Sequence, residues 1–111
     1  MHDTLDRIRR FRDERDWLKF HNPKDLAMSV AIEAAELMEL FQWQSAEESR
    51  RTAVESREAL SDEMADVAIY LLELADVTGI DLEKAIEAKL KKNAVKYPVG
   101  SGSDLGPGPR L

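Results

Sequence analysis

Apolar residues recur along this chain at intervals of three and four, and no stretch alternates apolar and polar residues as a strand would. Leu5, Ile8 and Phe11, with the stem of Arg12, mark the inner face of a first predicted helix from Thr4 to about Arg15. Trp17, Phe20 and His21 follow in a loop. Asn22-Pro23-Lys24-Asp25 then carries a start signal. Asparagine caps, proline suits the first helical position, and an acid follows in the first turn. The second helix is predicted from Pro23 to about Gln44. Ser45 to Ser56 is polar, and Ala46-Glu47-Glu48-Ser49-Arg50-Arg51 within it can form a short exposed helix. A third helix is predicted from about Arg57 to Thr78, where Gly79 stops it. Asp81 caps a fourth, with Lys84 in its first turn and Lys96 near its end, and Pro98 terminates it. From Gly100 onward, glycine, serine and proline predict a flexible tail.

The second helix is apolar almost all round, and so is the third from Met64 to Leu74. Helices of that kind belong in the middle of a bundle or at a subunit interface. The expectation is an all-α, four-helix bundle over residues 1–99, assembling into a homo-oligomer, with 100–111 as a tail.

Acids interrupt this apolar pattern in two places. Glu33-Ala34-Ala35-Glu36 lies in the second helix and Glu63-Met64-Ala65-Asp66 in the third. A spacing of three sets both acids of a pair on one side of a helix, one turn apart. Removing a carboxylate from water costs several kcal/mol unless a cation or hydrogen bonds compensate. Acid pairs on helices ordinarily form solvated faces, yet Asp66 is the only charge between Glu63 and Glu73. Four such groups ask for a hard cation, and Mg²⁺ is the choice for oxygen ligands. A di-iron centre would need Glu-x-x-His on two helices, and neither His2 nor His21 lies on the second or third helix.

On the helical wheel Glu33, Glu36 and Glu39 share a broad stripe, with Trp43 two turns beyond Glu36. Glu63, Asp66 and Tyr70 share another. Packed together, the two helices would give an acidic floor with aromatic walls, suited to a metal-bound polyphosphate with a flat base above it. Lys89, Lys91, Lys92, Asn93, Lys96 and Tyr97 make the last helix locally basic. They either complement the negative end of the helix dipole or contact phosphate.

Charge and composition narrow the classes. A net charge of −6 argues against nonspecific binding to nucleic acid or to anionic membranes. Without cysteine there is no thiol catalysis and no thiolate zinc site. The first residues lack the apolar core of a signal peptide, so a cytoplasmic location is expected.

Glu33-x-x-Glu36, a gap of 26 residues and Glu63-x-x-Asp66 together resemble the signature of the MazG-like, all-α nucleoside triphosphate pyrophosphohydrolases. The surrounding residues look like the dCTP pyrophosphatase branch. They are Arg15-Asp16-Trp17-x-x-Phe20-His21-x-Pro23-x-x-Leu26, Glu39-Leu40-Phe41-Gln42-Trp43, Asp66-Val67-x-Ile69-Tyr70-Leu71 and Asn93-x-x-Lys96-Tyr97-Pro98. The resemblance covers roughly Phe11 to Val99. It implies Mg²⁺ on Glu33, Glu36, Glu63 and Asp66, and a base and sugar pocket lined by Trp17, His21, Trp43 and Tyr70. It places Lys89, Asn93, Lys96 and Tyr97 on the phosphate side. The branch carries a substrate-contacting histidine in its first helix, where this chain has Ile8.

The expected activity is hydrolysis of a nucleoside triphosphate, dCTP or a modified dCTP first, to the monophosphate and pyrophosphate. Glu36 or Glu39 is the candidate general base. The expected assembly is a dimer or tetramer, and the expected role is to clear unwanted deoxynucleotides. The rivals are a broader or dUTP-directed hydrolase of the same chemistry and a non-catalytic helical interaction module.

Overall fold

The computed structural model describes residues 1–100. The flexible tail expected from the sequence lies, beyond Gly100, outside the described residues. The chain divides into two units, Met1 to Gly79 and Ile80 onward. Five α-helices form, and no strand occurs among the described residues. The first unit holds α1 (His2–Glu14), a 3₁₀ turn Leu18–Phe20, α2 (Pro23–Glu39), α3 (Ala46–Glu55) and α4 (Arg57–Thr78). The second holds α5 (Leu82–Lys96). The all-α expectation holds, but the count of four misses α3.

The polar segment becomes a full helix because Ser45 and Glu48 close a capping box. The Glu48 N–H donates to the Ser45 hydroxyl at 3.0 Å, and the Ser45 N–H donates to the Glu48 carboxylate at 3.2 Å. The same box shortens α2, which ends at Glu39 and not near Gln44. Ser45 has to be extended to cap α3. The chain before it therefore tightens into turns, with N–H bonds three residues back from Leu40, Phe41 and Gln44.

Other boundaries follow the predicted signals. The Asn22 side chain accepts from the Asp25 N–H at 2.9 Å with Pro23 at the first helical position. Asp81 does the same for Lys84 at 3.1 Å. Gly79 ends α4 in the left-handed region at φ 71°, where residues with a Cβ are disfavoured.

Within the first unit α2 and α4 form the main packed pair, and α1 and α3 lie against α4. Leu26, Leu72 and Ala75 are its buried apolar residues. Arg12 is buried too and ties α1 to α4, its Nη1 donating to Asp76 Oδ2 at 2.8 Å. Arg9 Nε donates to the other Asp76 oxygen at 2.7 Å. The apolar character of α2 and α4 is only partly used in one chain. Met28, Ile32, Met38 and Met64 are each more than half exposed.

Candidate active site

The packing of α2 on α4 brings the two acid pairs together. Glu33, Glu36 and Glu63 each offer a carboxylate oxygen, and these oxygens lie within 4.8 Å of one another. One oxygen each of Glu33 and Glu63 is buried with no hydrogen-bond partner. Burial raises the Glu33 carboxyl above its ordinary range, and Glu36, Asp66 and Glu63 add to the rise. Glu63 is raised by burial and by the charges of Glu36 and Asp66. Asp66 thus acts on the group electrostatically from one turn along α4. Buried acceptors without donors, held among like charges, fit a hard divalent cation.

Beside the acids the first unit bounds a half-open cavity of about 650 Å³. Asp66, Tyr70 and Glu73 line it from α4, Ile8 and Phe11 from α1, and Trp17 and His21 from the connection between α1 and α2. The backbone explains how that connection reaches the cavity. Asp16 adopts φ 55°, a left-handed conformation that aspartate tolerates better than most residues. The chain doubles back there, and the Trp17 N–H donates to the Arg12 carbonyl at 3.1 Å. Trp17 meets Phe11 edge-on with ring centroids 5.7 Å apart, and the Arg15 guanidinium covers Phe11 at 3.5 Å. His21 is fixed between the 3₁₀ turn, where its N–H donates to Leu18 at 2.9 Å, and the Asn22 cap.

Tyr70 is half-buried, and its phenol is raised by burial and then by the acids Glu33, Glu73 and Asp66 around it. Among the sequence-predicted residues, the structure therefore gathers Glu33, Glu36 and Glu63 in one group, and Trp17, His21, Asp66 and Tyr70 around one cavity. Glu39 is the last residue of α2 and stays exposed, outside the carboxylate group. Trp43 is not on the helical stripe predicted for it. Because α2 ends early, Trp43 sits in the following turn and is 89% exposed.

Lys89, Asn93, Lys96 and Tyr97 belong to the second unit. Asn93 is buried in α5, Lys89 and Lys96 are exposed, and Tyr97 closes the helix, with the Lys96 ammonium 5.3 Å from its ring.

The sequence reading passes over Glu73. It is 5% exposed, lines the cavity, and has a carboxylate oxygen 3.7 Å from His21 Nδ1. Burial raises its carboxyl, against the pull of His21 and Arg12. An acid between Leu71-Leu72 and Leu74-Ala75, three residues after Tyr70 and seven after Asp66, was the available signal.

Comparison with known proteins identifies the family. The family model described as the MazG-like family matches residues 28–106. The chain belongs to the MazG-like family. It is 43% identical over 102 residues to dCTP pyrophosphatase 1 of Rattus norvegicus and 42% identical over 101 residues to that of Homo sapiens. Each match covers 86% of this chain; it covers 60% of the rat protein and 59% of the human one. This MazG-like chain thus spans about 60% of the length of those relatives. Its fold is similar to the crystal structure of a pyrophosphatase from Archaeoglobus fulgidus, with a TM-score of 0.86 and 47% identity. That match covers 88% of this chain and 92% of the other. No helix among the described residues is long and apolar enough to cross a membrane.

Proposed function

We propose that this MazG-like chain hydrolyses a nucleoside triphosphate to the monophosphate and pyrophosphate, with dCTP or a modified dCTP as the leading substrate. The carrying observation is the gathering of Glu33, Glu36 and Glu63 beside a cavity lined by Asp66 and aromatic rings. The names of the rat and human relatives support the choice of substrate. Glu33, Glu36, Glu63 and Asp66 would hold Mg²⁺. Bound there, the ion would supply Lewis acidity toward water and phosphate oxygens and offset charge on the departing pyrophosphate.

The remaining roles fall to side chains. Glu36, within the carboxylate group, or Glu39 at the end of α2 takes the proton of the attacking water. Trp17, His21 and Tyr70 hold the base and sugar and exclude water from them. Lys89, Asn93, Lys96 and Tyr97 serve as phosphate-side donors. The expected assembly is a homodimer or homotetramer. The exposed methionines and Ile32 of α2 and α4 support it, and so does Trp43, an exposed ring that a neighbouring subunit's nucleotide could stack upon. The excess of acids argues against nucleic acid as a partner. Clearing unwanted deoxynucleotides in the cytoplasm is the proposed role.

A second reading, a dUTP-directed or broader hydrolase, draws on Ile8. It lines the cavity from the helix in which the branch carries a substrate-contacting histidine.

Incubation with Mg²⁺ and dCTP, 5-methyl-dCTP, dUTP, dTTP and ribonucleotides tests the proposal. Monophosphate and pyrophosphate, formed fastest from a cytosine nucleotide and lost on chelation, are the expected products. No turnover of any triphosphate by folded protein would reject hydrolysis in favour of an interaction module.

Thermal melts test the metal separately. The Glu33 and Glu63 carboxyls are raised in the folded chain, so the metal-free fold holds its protons more tightly than the unfolded chain does. Metal-free stability from these groups is therefore greatest below the ordinary carboxylate range. It declines as pH rises through that range toward the raised folded values. At neutral pH a saturating hundredfold excess of Mg²⁺ over its Kd should raise Tm by about 10 °C. An unchanged Tm would remove Mg²⁺ from the site.

A further inference from the structure

Glu73 has no part in the proposed hydrolysis, yet it costs the fold a buried carboxylate. It sits two turns of α4 beyond Asp66, about 10 Å along the helix axis, on the same stripe as Asp66 and Tyr70. That separation keeps its charge away from the phosphate end of any nucleotide anchored at the acids, and puts it at the nucleoside end. The carboxylate is not consumed by its neighbour. His21 Nδ1 lies 3.7 Å away, beyond hydrogen-bond reach, and is itself buried without a partner. Glu73 and His21 both line the cavity, and because the histidine does not occupy the carboxylate with a hydrogen bond, Glu73 keeps acceptor capacity for a ligand's polar edge. Of the other wall residues, the rings of Phe11, Trp17 and Tyr70 can stack on a base and Ile8 can only pack against it, so these four distinguish its edges poorly.

Resting on the proposed nucleotide hydrolysis, we propose that Glu73 is the specificity-determining residue of this cavity, accepting a hydrogen bond from the exocyclic amino group of a cytosine-type base. An ionised carboxylate has acceptors and no donor. The amino group at position 4 of cytosine satisfies it. The carbonyl oxygen at the same position of uracil or thymine sets oxygen against oxygen and leaves a buried acceptor unpaired. Such mismatches discriminate far more strongly than a missing methyl group does. Glu73 thereby supplies in this chain a reading of the base edge that Ile8 cannot give.

The test compares wild type with Glu73→Gln, whose side chain has the same shape and offers both a donor and an acceptor. Dissociation constants for dCMP and dUMP are measured by calorimetry, and kcat and KM for dCTP and dUTP with Mg²⁺. The wild type should prefer the cytosine nucleotide, and Glu73→Gln should reduce that preference by about tenfold or more, mainly through KM. If Glu73→Gln does not fold, Glu73→Asp, which keeps the charge but retracts it by one methylene, should reduce the preference likewise. A merely structural role would weaken both nucleotides equally. The same preference in wild type and variant, or none in wild type, overturns the inference. Monophosphate binding needs no turnover. A preference lost on substitution in a protein that hydrolyses no triphosphate would keep this assignment and reject the reaction. Hydrolysis with an unaltered preference would do the reverse.

Discussion

Replacing Glu36 or Asp66 by alanine is expected to abolish triphosphate hydrolysis, with kcat/KM falling by about 10³-fold or more, while the protein melts no lower than the wild type. Both side chains are exposed on helices, and alanine is the best helix former. Each acid also pushes on its neighbours, because Glu36 and Asp66 both raise the carboxyls of Glu33 and Glu63. Removing either one relieves repulsion in the metal-free chain and weakens the proposed ion site together. The combination is diagnostic, since a folding defect would lower activity and Tm in parallel. Circular dichroism melts beside a pyrophosphate-release assay read both quantities. Turnover retained in both variants would sink the metal site.

The second large effect falls on stability. Asp76→Ala is expected to destabilise the chain by about 3 kcal/mol, because it removes the acceptor shared by Arg9 and Arg12 and leaves the buried Arg12 guanidinium with the half-exposed Asp13 as its remaining carboxylate partner. For a domain of this size that lowers Tm by roughly 10–20 °C, readable in a calorimetric scan. Replacing Arg12 and Asp76 together by apolar residues should cost less than Asp76→Ala alone, since no buried guanidinium is then left short of an acceptor. The pH dependence has the opposite sign from that of the acid cluster. The hydrogen bond from Arg9, with that from Arg12, holds the Asp76 carboxyl below its ordinary range despite its burial. Its contribution is complete above the ordinary carboxylate range and is lost as pH falls through the lowered folded value. Below that pH the wild type and Asp76→Ala should converge in stability; a gap that persisted there would contradict the ion-pair account.

Local signals carried much of this fold. Asn22, Asp81 and Gly79 announce their helix ends, because a cap is a bond between near neighbours in sequence. The acid pairs were legible for the same reason, since spacing and apolar surroundings are both local. The early end of α2 was harder to read. Glu39 to Gln44 would continue a helix by propensity, and the reciprocal bonds of Ser45 and Glu48 work against that by holding Ser45 extended. The Ser-x-x-Glu pattern was present in the sequence, but its effect on the preceding helix depends on backbone geometry. Trp43 was misplaced on the stripe as a direct result. Glu73 and Asp76 resisted for another reason. Their partners His21 and Arg12 lie about fifty and sixty residues away in sequence, and no local pattern joins them.

The composition of α4 has a consequence for how this chain can change over generations. Glu63, Asp66, Tyr70 and Glu73 take their common direction from one uninterrupted helix, in which each residue turns the next by about 100°. Point replacements alter a single feature of the site and leave the rest in register. A single inserted or deleted codon between Asp66 and Glu73 rotates one end of the site out of line with the other. Drift in this helix is thus confined to exchanges of side chain, while the turn from Leu40 to Gln44 can vary in length without disturbing that alignment.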